Sequence, residues 1–414
     1  MLKLINYSYN RHPSTIVASE DQSTTGGKIL LINTRSYYSA LMEREEEEKD
    51  EEHLRQAATH PAVPPDTTIA PKSVHAASVN TDHCAPNDTA CLSEVERRRS
   101  FFVEMLQKND DLHKEGVPPY DVAQVPKLTL SADQGVEEWI VLAELIEKHY
   151  FDYDGFVVQN GSDGMVFTAT ALSFMLENLG KPVIFTGSLI PATRIYTDMK
   201  RNTILSLMLA ACRQLSEVCI LFDDKLYRAN RTIKVSRASL RPYDSPHFPP
   251  LARMSGSLKL WGPLLRPQPH GRLQVMRHMH TKILCLQIGP YVPIEVLVSC
   301  IQHSTARALI VACYGSGNAP SRDGFMKQIM DKAAEKKMLV VVTSQNQYGK
   351  VNLSTYELGR KMLQAGAISA AEMTPQTTYV KLKYLFGLGL SNAEVRAAME
   401  SDLRGELFIA NSKL

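Results

Sequence analysis

The chain has 414 residues, of which 44% are hydrophobic and 22% are charged, and its formal net charge is +2 at pH 7. These values are typical of a globular protein with roughly two or three domains, and they give no reason to expect nucleic acid or a membrane as a partner. We also expect a cytoplasmic protein with free thiols, because no apolar run resembles a signal peptide or a membrane span and most of the seven cysteines lie in apolar patterns.

In chain order, residues 1–27 form a polar leader, and residues 28–32 predict a buried strand. The composition then changes sharply. Residues 42–99 begin with an acidic run and continue with many proline, alanine, threonine and serine residues. Such a segment buries too little apolar surface to offset its ordering entropy, so we expect a disordered insertion. Helical patterns return at residues 100–106 and 134–149.

Residues 154–211 carry the most informative pattern in the chain. A short apolar run at 155–158 predicts a strand, and it is followed by a polar turn that contains Ser162 and Asp163. A helical pattern extends to Leu179, and a second strand is predicted at 182–185. Strand, helix and strand in this order predict a parallel unit, and parallel sheets bind ligands beyond the carboxyl ends of their strands. The Ser162-Asp163 pair stands at such an end.

The second half repeats the alternation of strands and helices after a proline-rich stretch at 241–250. Strands are predicted at 282–287, 308–313 and 338–343, and helices near 294–303, 325–337, 355–364 and 377–386. A last helix is expected to end at 402–406. The pattern predicts a larger N-terminal α/β domain at 28–250, a linker at 251–280 and a smaller C-terminal parallel α/β domain at 281–414.

Several motifs resemble one family. The turn at 160–165 reads NGSDGM, residues 170–191 read TALSFMLENLGKPVIFTGSLIP, residues 197–202 read TDMKRN, and residues 314–320 read YGSGNAP. Together they are similar to the bacterial-type L-asparaginases, in particular to the cytosolic type I group and its animal relatives. The resemblance implies the two-domain asparaginase-like fold and the conversion of L-asparagine to L-aspartate and ammonia through a threonine-bound acyl-enzyme.

The same resemblance implies L-glutamine as a second candidate substrate, no metal or other cofactor, and a homodimer or homotetramer. It also assigns the residues of a proton relay. Lys234, in the motif NRTIKV, takes the place of the family's proton-accepting lysine. Asp163 corresponds to the acid that holds this lysine, and Ser162 replaces a threonine of the relay. The Ser162 backbone N–H is expected to help to hold the oxyanion.

The nucleophile has two candidates. Thr25 lies in the letters TGG-x-I, but no convincing strand precedes it. Thr34 follows the predicted strand at 28–32, and we favour it because a strand that leads into a turn determines where the hydroxyl points. Arg35 and Ser36 then stand where the family has glycines. Tyr38 is the candidate for the family's lid tyrosine.

Substrate binding is assigned to Ser131 and Ala132 together with Ser162 and Asp163, by similarity to a loop that holds the substrate's α-carboxylate. Read without the family, Ser131 is a candidate helix N-cap. Because Arg35, Ser36, Ala132, Asn160 and Gly164 depart from the family's pattern, a second hypothesis is a catalytically impaired asparaginase-like paralogue. Such a protein would bind an amino acid or another protein.

Overall fold

The computed structural model of the protein describes residues 16–17, 27–34 and 102–408. The predicted leader lies outside the described residues except for 16–17 and 27, and the predicted insertion at 42–99 lies wholly outside them. Thr25 and Tyr38 of the predicted site also lie outside. Thr34 is the last described residue before residue 102.

The first half is built on a large sheet with helices on both faces. A short helix covers residues 102–107, and the first long helix begins at Val136. The elements are β1 (Ile16–Val17), β2 (Ile29–Asn33), β3 (Tyr120–Gln124), α1 (Val136–Lys148), β4 (Gly155–Gln159), α2 (Met165–Met175), β5 (Leu176–Glu177), β6 (Val183–Thr186), α3 (Met199–Ala210), β7 (Val218–Phe222), β8 (Lys225–Arg228), β9 (Ile233–Lys234), β10 (Tyr243–Asp244), β11 (Ala252–Ser255), β12 (Ser257–Leu260) and β13 (Gln274–Val275).

Among the described residues the large sheet has nine strands in the order β1-β12-β11-β8-β7-β6-β4-β2-β3. The five strands from β7 to β3 run parallel, and the four at the other side are antiparallel. Asn33 lies opposite Gln159, and Gln159 lies opposite Thr186. The carboxyl ends of β2, β4 and β6 therefore meet at one edge of the sheet.

The apolar run of β4 explains its central position, because every residue of this strand is buried. Phe156 and Val158 belong to the core cluster that includes α1 and α2, whereas Val157 belongs to the cluster on the α3 face. Side chains of a strand alternate between the two faces of its sheet. A strand that is apolar at consecutive positions can thus be covered by helices on both sides.

The second half forms a parallel four-stranded sheet in the order β14-β15-β16-β17. Its elements are β14 (Ile283–Gln287), α4 (Ile294–His303), β15 (Ala308–Cys313), α5 (Phe325–Glu335), β16 (Leu339–Ser344), α6 (Glu357–Gln364), β17 (Ile368–Ser369), α7 (Pro375–Gly387) and α8 (Asn392–Met399). The predicted fold class is confirmed. In the part of the chain that the structure describes, no helix is long and apolar enough to cross a membrane.

Helix α2 ends earlier than its hydrophobic spacing predicts. The sequence pattern continues to Leu179, but the helix stops at Met175. Leu176 and Glu177 instead pair with β13, and Asn178 has a φ of 55°. This left-handed conformation cannot continue a helix. The prediction was wrong here because the competing partner, β13, is almost 100 residues away in the chain.

The predicted helical end at 402–406 is also wrong, since α8 stops at Met399. The Glu406 carboxylate accepts hydrogen bonds from the backbone N–H groups of Leu403 and Arg404, and the Asp402 side chain accepts one from Gly405 N. Acidic side chains that bind nearby backbone donors favour a turn over a helix.

Candidate active site

The turn between β4 and α2 stands at the carboxyl edge of the large sheet. Asn160 and Gly161 follow the strand, Ser162 and Asp163 form the middle of the turn, and Gly164 is the N-cap of α2. The first strand of a parallel unit thus delivers a hydroxyl and a carboxylate to the edge where such folds bind ligands. This placement confirms the strand–turn–helix order that the sequence predicts.

Lys234 reaches this turn from β9. Its Nζ donates a hydrogen bond to Ser162 Oγ at 2.9 Å and another to Asp163 Oδ1 at 2.6 Å. The Lys234 side chain is only 21% exposed, whereas the Asp163 side chain is 71% exposed. The structure therefore brings together an amine, a hydroxyl and a carboxylate that lie about 70 residues apart in the chain.

Tyr243 supports the same turn from the neighbouring strand. β9 and β10 pair with Tyr243 opposite Lys234, and the Tyr243 hydroxyl donates to the backbone oxygen of Ser162 at 2.6 Å. One two-stranded sheet thus supplies both the lysine and a hydrogen bond to the turn. No local pattern in the sequence marks Tyr243, because its role depends on this strand pairing.

Ser131 packs directly against the Ser162-Asp163 turn. A Cβ atom added to Gly161 would lie 2.4 Å from Ser131 Oγ, and one added to Gly164 would lie 1.8 Å from Ser131 O. Glycine at both positions is what allows this close approach. The sequence alone makes Ser131 a candidate N-cap of α1. This prediction is wrong, because Gly135 takes that position.

Ala132 is exposed beside Ser131. The capping interaction of α1 comes instead from Glu138, whose carboxylate accepts a hydrogen bond from Gly135 N at 2.8 Å. Glu138 thus reaches back to the start of the helix. The side chains of Ser131 and Ala132 take no part in this cap.

Thr34 lies at the same sheet edge but in different contacts. It is buried, and its hydroxyl lies 2.6 Å from Asn160 Oδ1 and 3.0 Å from the backbone oxygen of Gln159. A hydroxyl has one proton to donate, so only one of these oxygens receives it at a time. No described hydrogen bond joins Thr34 to Ser162, Asp163 or Lys234.

Two cavities flank this edge. Thr34 lines one of about 270 Å³ together with Gln134, Glu138 and Thr168. Lys234 lines another of about 160 Å³, whose other walls include residues of the second half, Ser344 and Gln376 among them. The predicted nucleophile and the predicted proton acceptor therefore face separate cavities.

His247 and Glu372 line the Lys234 cavity, and the sequence did not single out either of them. Burial lowers the pKa of His247 below its ordinary value. Glu372 is held by Arg231, whose Nη1 lies 3.0 Å from its carboxylate. Within the described ranges, no group of three histidine, cysteine or acidic side chains could hold a metal ion.

The motif TDMKRN at 197–202 has a structural role. The Asp198 carboxylate accepts hydrogen bonds from the backbone N–H groups of Leu189 and Ile190, at distances of 3.0–3.1 Å. Asn202 Nδ2 donates to Gly187 O at 2.9 Å. These two side chains therefore fix the backbone of the turn after β6.

Fold and site together define a two-domain α/β protein that carries a lysine, a hydroxyl and a carboxylate at the carboxyl edge of its larger sheet. Comparison with known families gives this class a name. Residues 73–264 match the family model "Asparaginase, N-terminal", and residues 282–399 match "Glutaminase/Asparaginase C-terminal domain". The chain belongs to the asparaginase family, and the predicted membership in a family of amide-hydrolysing enzymes is confirmed. Thr34 precedes the matched residues.

Individual relatives agree with this assignment. L-asparaginase 1 of Escherichia coli K12 is 38% identical over 299 residues, which cover 72% of this chain and 87% of that protein. The 60 kDa lysophospholipase of Mus musculus is 34% identical over 70% of this chain, but the match spans only 51% of that longer protein. The crystal structure of L-asparaginase I from Vibrio cholerae has a TM-score of 0.71 at 28% identity, over 93% of this chain and 100% of that one.

Proposed function

We propose that the protein hydrolyses the side-chain amide of L-asparagine to give L-aspartate and ammonia, with L-glutamine as a second candidate substrate. The observation that carries this proposal is the contact of Lys234 Nζ with both Ser162 Oγ and Asp163 Oδ1. Amine, hydroxyl and carboxylate in contact are the groups that a metal-free proton relay needs. The choice of L-asparagine as the substrate rests on similarity to proteins that are named L-asparaginase.

In the proposed reaction, the Thr34 hydroxyl attacks the side-chain carbonyl carbon, and its proton passes through Ser162 to the amine of Lys234. The C–N bond then breaks as Lys234 returns the proton to the leaving nitrogen, and ammonia departs. Water hydrolyses the resulting β-aspartyl ester and releases aspartate. Asp163 positions the lysine, and the Ser162 backbone N–H stabilises the oxyanion.

Substrate recognition is proposed for Ser131 and Ala132, beside the turn that carries Ser162. The support is the packing of Ser131 against Gly161 and Gly164, which fixes the two loops against each other. Thr25 is the alternative nucleophile, and Tyr38 is the candidate lid residue. The scheme uses no metal or organic cofactor.

A second candidate function is binding without efficient turnover. The observation that favours it is the state of Thr34, which is buried, bound to Asn160 and in a different cavity from Lys234. For Thr34 to act as the nucleophile, its hydroxyl must leave Asn160 Oδ1 and turn toward a substrate. A catalytically impaired paralogue would retain the fold and bind an amino acid or a protein partner.

Ammonia release by the purified full chain, with L-asparagine and with L-glutamine, tests both functions. We expect release by the wild type and a loss of about 10²–10⁴-fold in Lys234→Met. Lys225→Met is the matched control, because Lys225 is a similarly shielded lysine outside the site. No release, with asparagine still raising the melting temperature, supports the binding protein. No release and no shift in melting temperature overturn both the hydrolysis and the binding of asparagine.

Thr34→Ala and Thr25→Ala then identify the nucleophile. Loss of ammonia release in Thr34→Ala alone supports the scheme above, and loss in Thr25→Ala alone replaces Thr34 by Thr25. Trapping of an acyl-enzyme, followed by mass spectrometry of its peptides, reads the modified residue directly.

We further propose that the protein is a cytoplasmic homodimer or homotetramer with the domain division predicted above. Light scattering coupled to size-exclusion chromatography measures the number of subunits. Limited proteolysis tests the boundaries, since we expect cleavage within residues 42–99 and protection of the two α/β domains.

A further inference from the structure

A third cavity, with polar residues in its wall, lies at the opposite edge of the large sheet. It has a volume of about 270 Å³ and is bounded by Glu217 and Val218 at the start of β7 and by Arg228 at the end of β8. Because β7 runs parallel to β4, its start is at the amino edge, away from Ser162. The outer wall is the segment 266–270. This cavity is therefore separate from the candidate active site.

Three arginines and one carboxylate line the cavity. Arg228 and Glu217 form a buried pair, with Nε 2.5 Å from Oε2 and Nη2 3.3 Å from Oε1. Each charge of this pair neutralises the other. The positive charges of Arg266 and Arg404 are left over among the charged groups of the wall.

The carboxylates of Glu217 and Asp402 attract the Arg266 guanidinium without forming an ion pair with it. This guanidinium is partly buried, it forms no ion pair among the described residues, and its one described side-chain hydrogen bond runs from Nη2 to Leu403 O at 3.3 Å. Burial lowers the pKa of Arg266 below its ordinary value, which is the effect of a positive charge held away from water. A guanidinium carries five N–H donors, so most of its hydrogen-bonding capacity is left for a ligand.

Arg404 stands on the same wall, where its Nη2 donates to the Tyr384 hydroxyl at 3.3 Å. Its Nη2 lies 3.9 Å from Glu177 Oε1, at the limit of an ion pair, and its buried Nε has no hydrogen-bond partner. Nη1 donates to Leu403 O at 3.0 Å. Leu403 O thus receives a bond from Arg266 as well, so one carbonyl holds both guanidinium groups at the cavity.

We propose that this cavity binds a small anion through a carboxylate or phosphate group held by the guanidinium groups of Arg266 and Arg404. The planar guanidinium matches the two oxygens of either group in a bidentate arrangement. The volume of about 270 Å³ is large enough for inorganic phosphate or a four-carbon dicarboxylate. Because the cavity is at the other edge of the sheet, this site does not depend on the proposed amide hydrolysis.

The test is a titration of the full chain by calorimetry and by thermal unfolding, with sodium phosphate in one arm and sodium succinate in the other. Ionic strength is kept constant with sodium chloride, which also serves as the ligand-free reference. We expect saturable binding and a rising melting temperature in one arm or in both, and the arm that responds identifies the anionic group. A response to neither anion overturns the proposal.

Arg266→Gln tests the site itself, and we expect it to raise the dissociation constant at least about tenfold, the effect of a lost charge-assisted contact. Arg272→Gln is the matched control, since it removes the same charge from an exposed position just after this segment, outside the lining. Equal binding by both variants contradicts the proposal. Arg266→Lys keeps the charge but not the planar fork, so intermediate binding is expected even if Arg266→Gln folds poorly.

Discussion

The Lys234 amine is positioned by its contacts with Ser162 and Asp163. The amine is shielded and touches a hydroxyl, while the carboxylate that it also touches is largely open to water. An exposed ion pair contributes little to stability because water screens it. The role that we propose for Asp163 is therefore to orient the Lys234 amine toward Ser162 rather than to hold the fold.

This role predicts the behaviour of Asp163→Asn. The amide keeps the shape of the side chain but not its charge, so we expect ammonia release to fall by about 10–10²-fold, less than a lost general base costs, with an unchanged melting temperature. Steady-state kinetics and thermal unfolding measure the two effects. Asp133→Asn, on the adjacent exposed turn, is the control that should retain activity. Wild-type kcat in Asp163→Asn would argue against the relay.

Tyr243 leads to a different prediction, because its hydroxyl acts on the backbone of the turn. Tyr243→Phe removes the 2.6 Å hydrogen bond to Ser162 O, and we expect a destabilisation of about 1 kcal/mol. The looser turn should lower kcat more than it raises KM. Tyr348→Phe is the control, since its hydroxyl binds Asp244 at 2.9 Å on an exposed surface. A change confined to KM would show that Tyr243 serves substrate binding instead.

The sequence predicts some of these residues and not others for a physical reason. Ser162 and Asp163 follow a continuous apolar strand, so local pattern alone places them at the edge of a sheet. Tyr243 and the contact of Thr34 with Asn160 arise from strand pairings between distant segments. No spacing in the chain reports such a contact.

At the scale of elements, the turn before α2 is fixed by the lack of side chains at its glycines. The backbone of Ser131 approaches Gly164 so closely that a single methyl group would overlap its carbonyl oxygen. The helix that follows is almost entirely buried, and its Phe174 is fully buried.

Gly164→Ala should therefore disturb both loops of the site. We expect a loss of about 1–3 kcal/mol from the forced shift of backbone, together with weaker substrate binding seen as a higher KM. Urea unfolding and steady-state kinetics measure these changes. Gly135→Ala is the matched control, because its added Cβ would lie 3.9 Å from the nearest neighbour, Glu138 Oε2. Equal stability of the two variants would contradict the packing argument.

Elements differ in how well the sequence predicts them. The prediction for β15 is confirmed at both ends, since an uninterrupted apolar run is buried in a parallel sheet whatever its neighbours are. The end of α2 was not predicted, because Leu176 and Glu177 carry a helical pattern and yet pair with β13. Tertiary pairing can override local spacing wherever a strand partner returns late in the chain.

At the scale of the whole molecule, α7 connects the two halves. Its Tyr384 packs against Phe174 of α2, with ring centroids 5.6 Å apart, and the Tyr384 hydroxyl donates to the Glu177 carboxylate at 2.5 Å. The same helix carries Lys381, whose side chain is fully buried. The interface therefore combines an aromatic core with charged groups that must find partners inside it.

The partner of Lys381 is Glu406, in the turn near the end of the described chain. Lys381 Nζ lies 2.6 Å from Glu406 Oε1, both side chains are 0% exposed, and Nζ also donates to the backbone oxygen of Ser401 at 2.5 Å. Glu406 accepts two backbone N–H groups of its own turn. This ion pair therefore attaches residues 401–406, including Arg404 of the proposed anion site, to the helix that joins the halves.

Removing one charge of this pair should be far worse than removing both. Glu406→Gln leaves a buried ammonium without its counter-charge, and we expect a loss of about 3–5 kcal/mol. The double variant Lys381→Met, Glu406→Leu replaces the charges by apolar groups and should recover most of that stability. Urea unfolding at pH 7 measures both, with Glu357→Gln in the exposed Lys361 pair as a control that should not change the midpoint. A double variant as unstable as Glu406→Gln would show that the backbone hydrogen bonds of Glu406, rather than its charge, hold the turn.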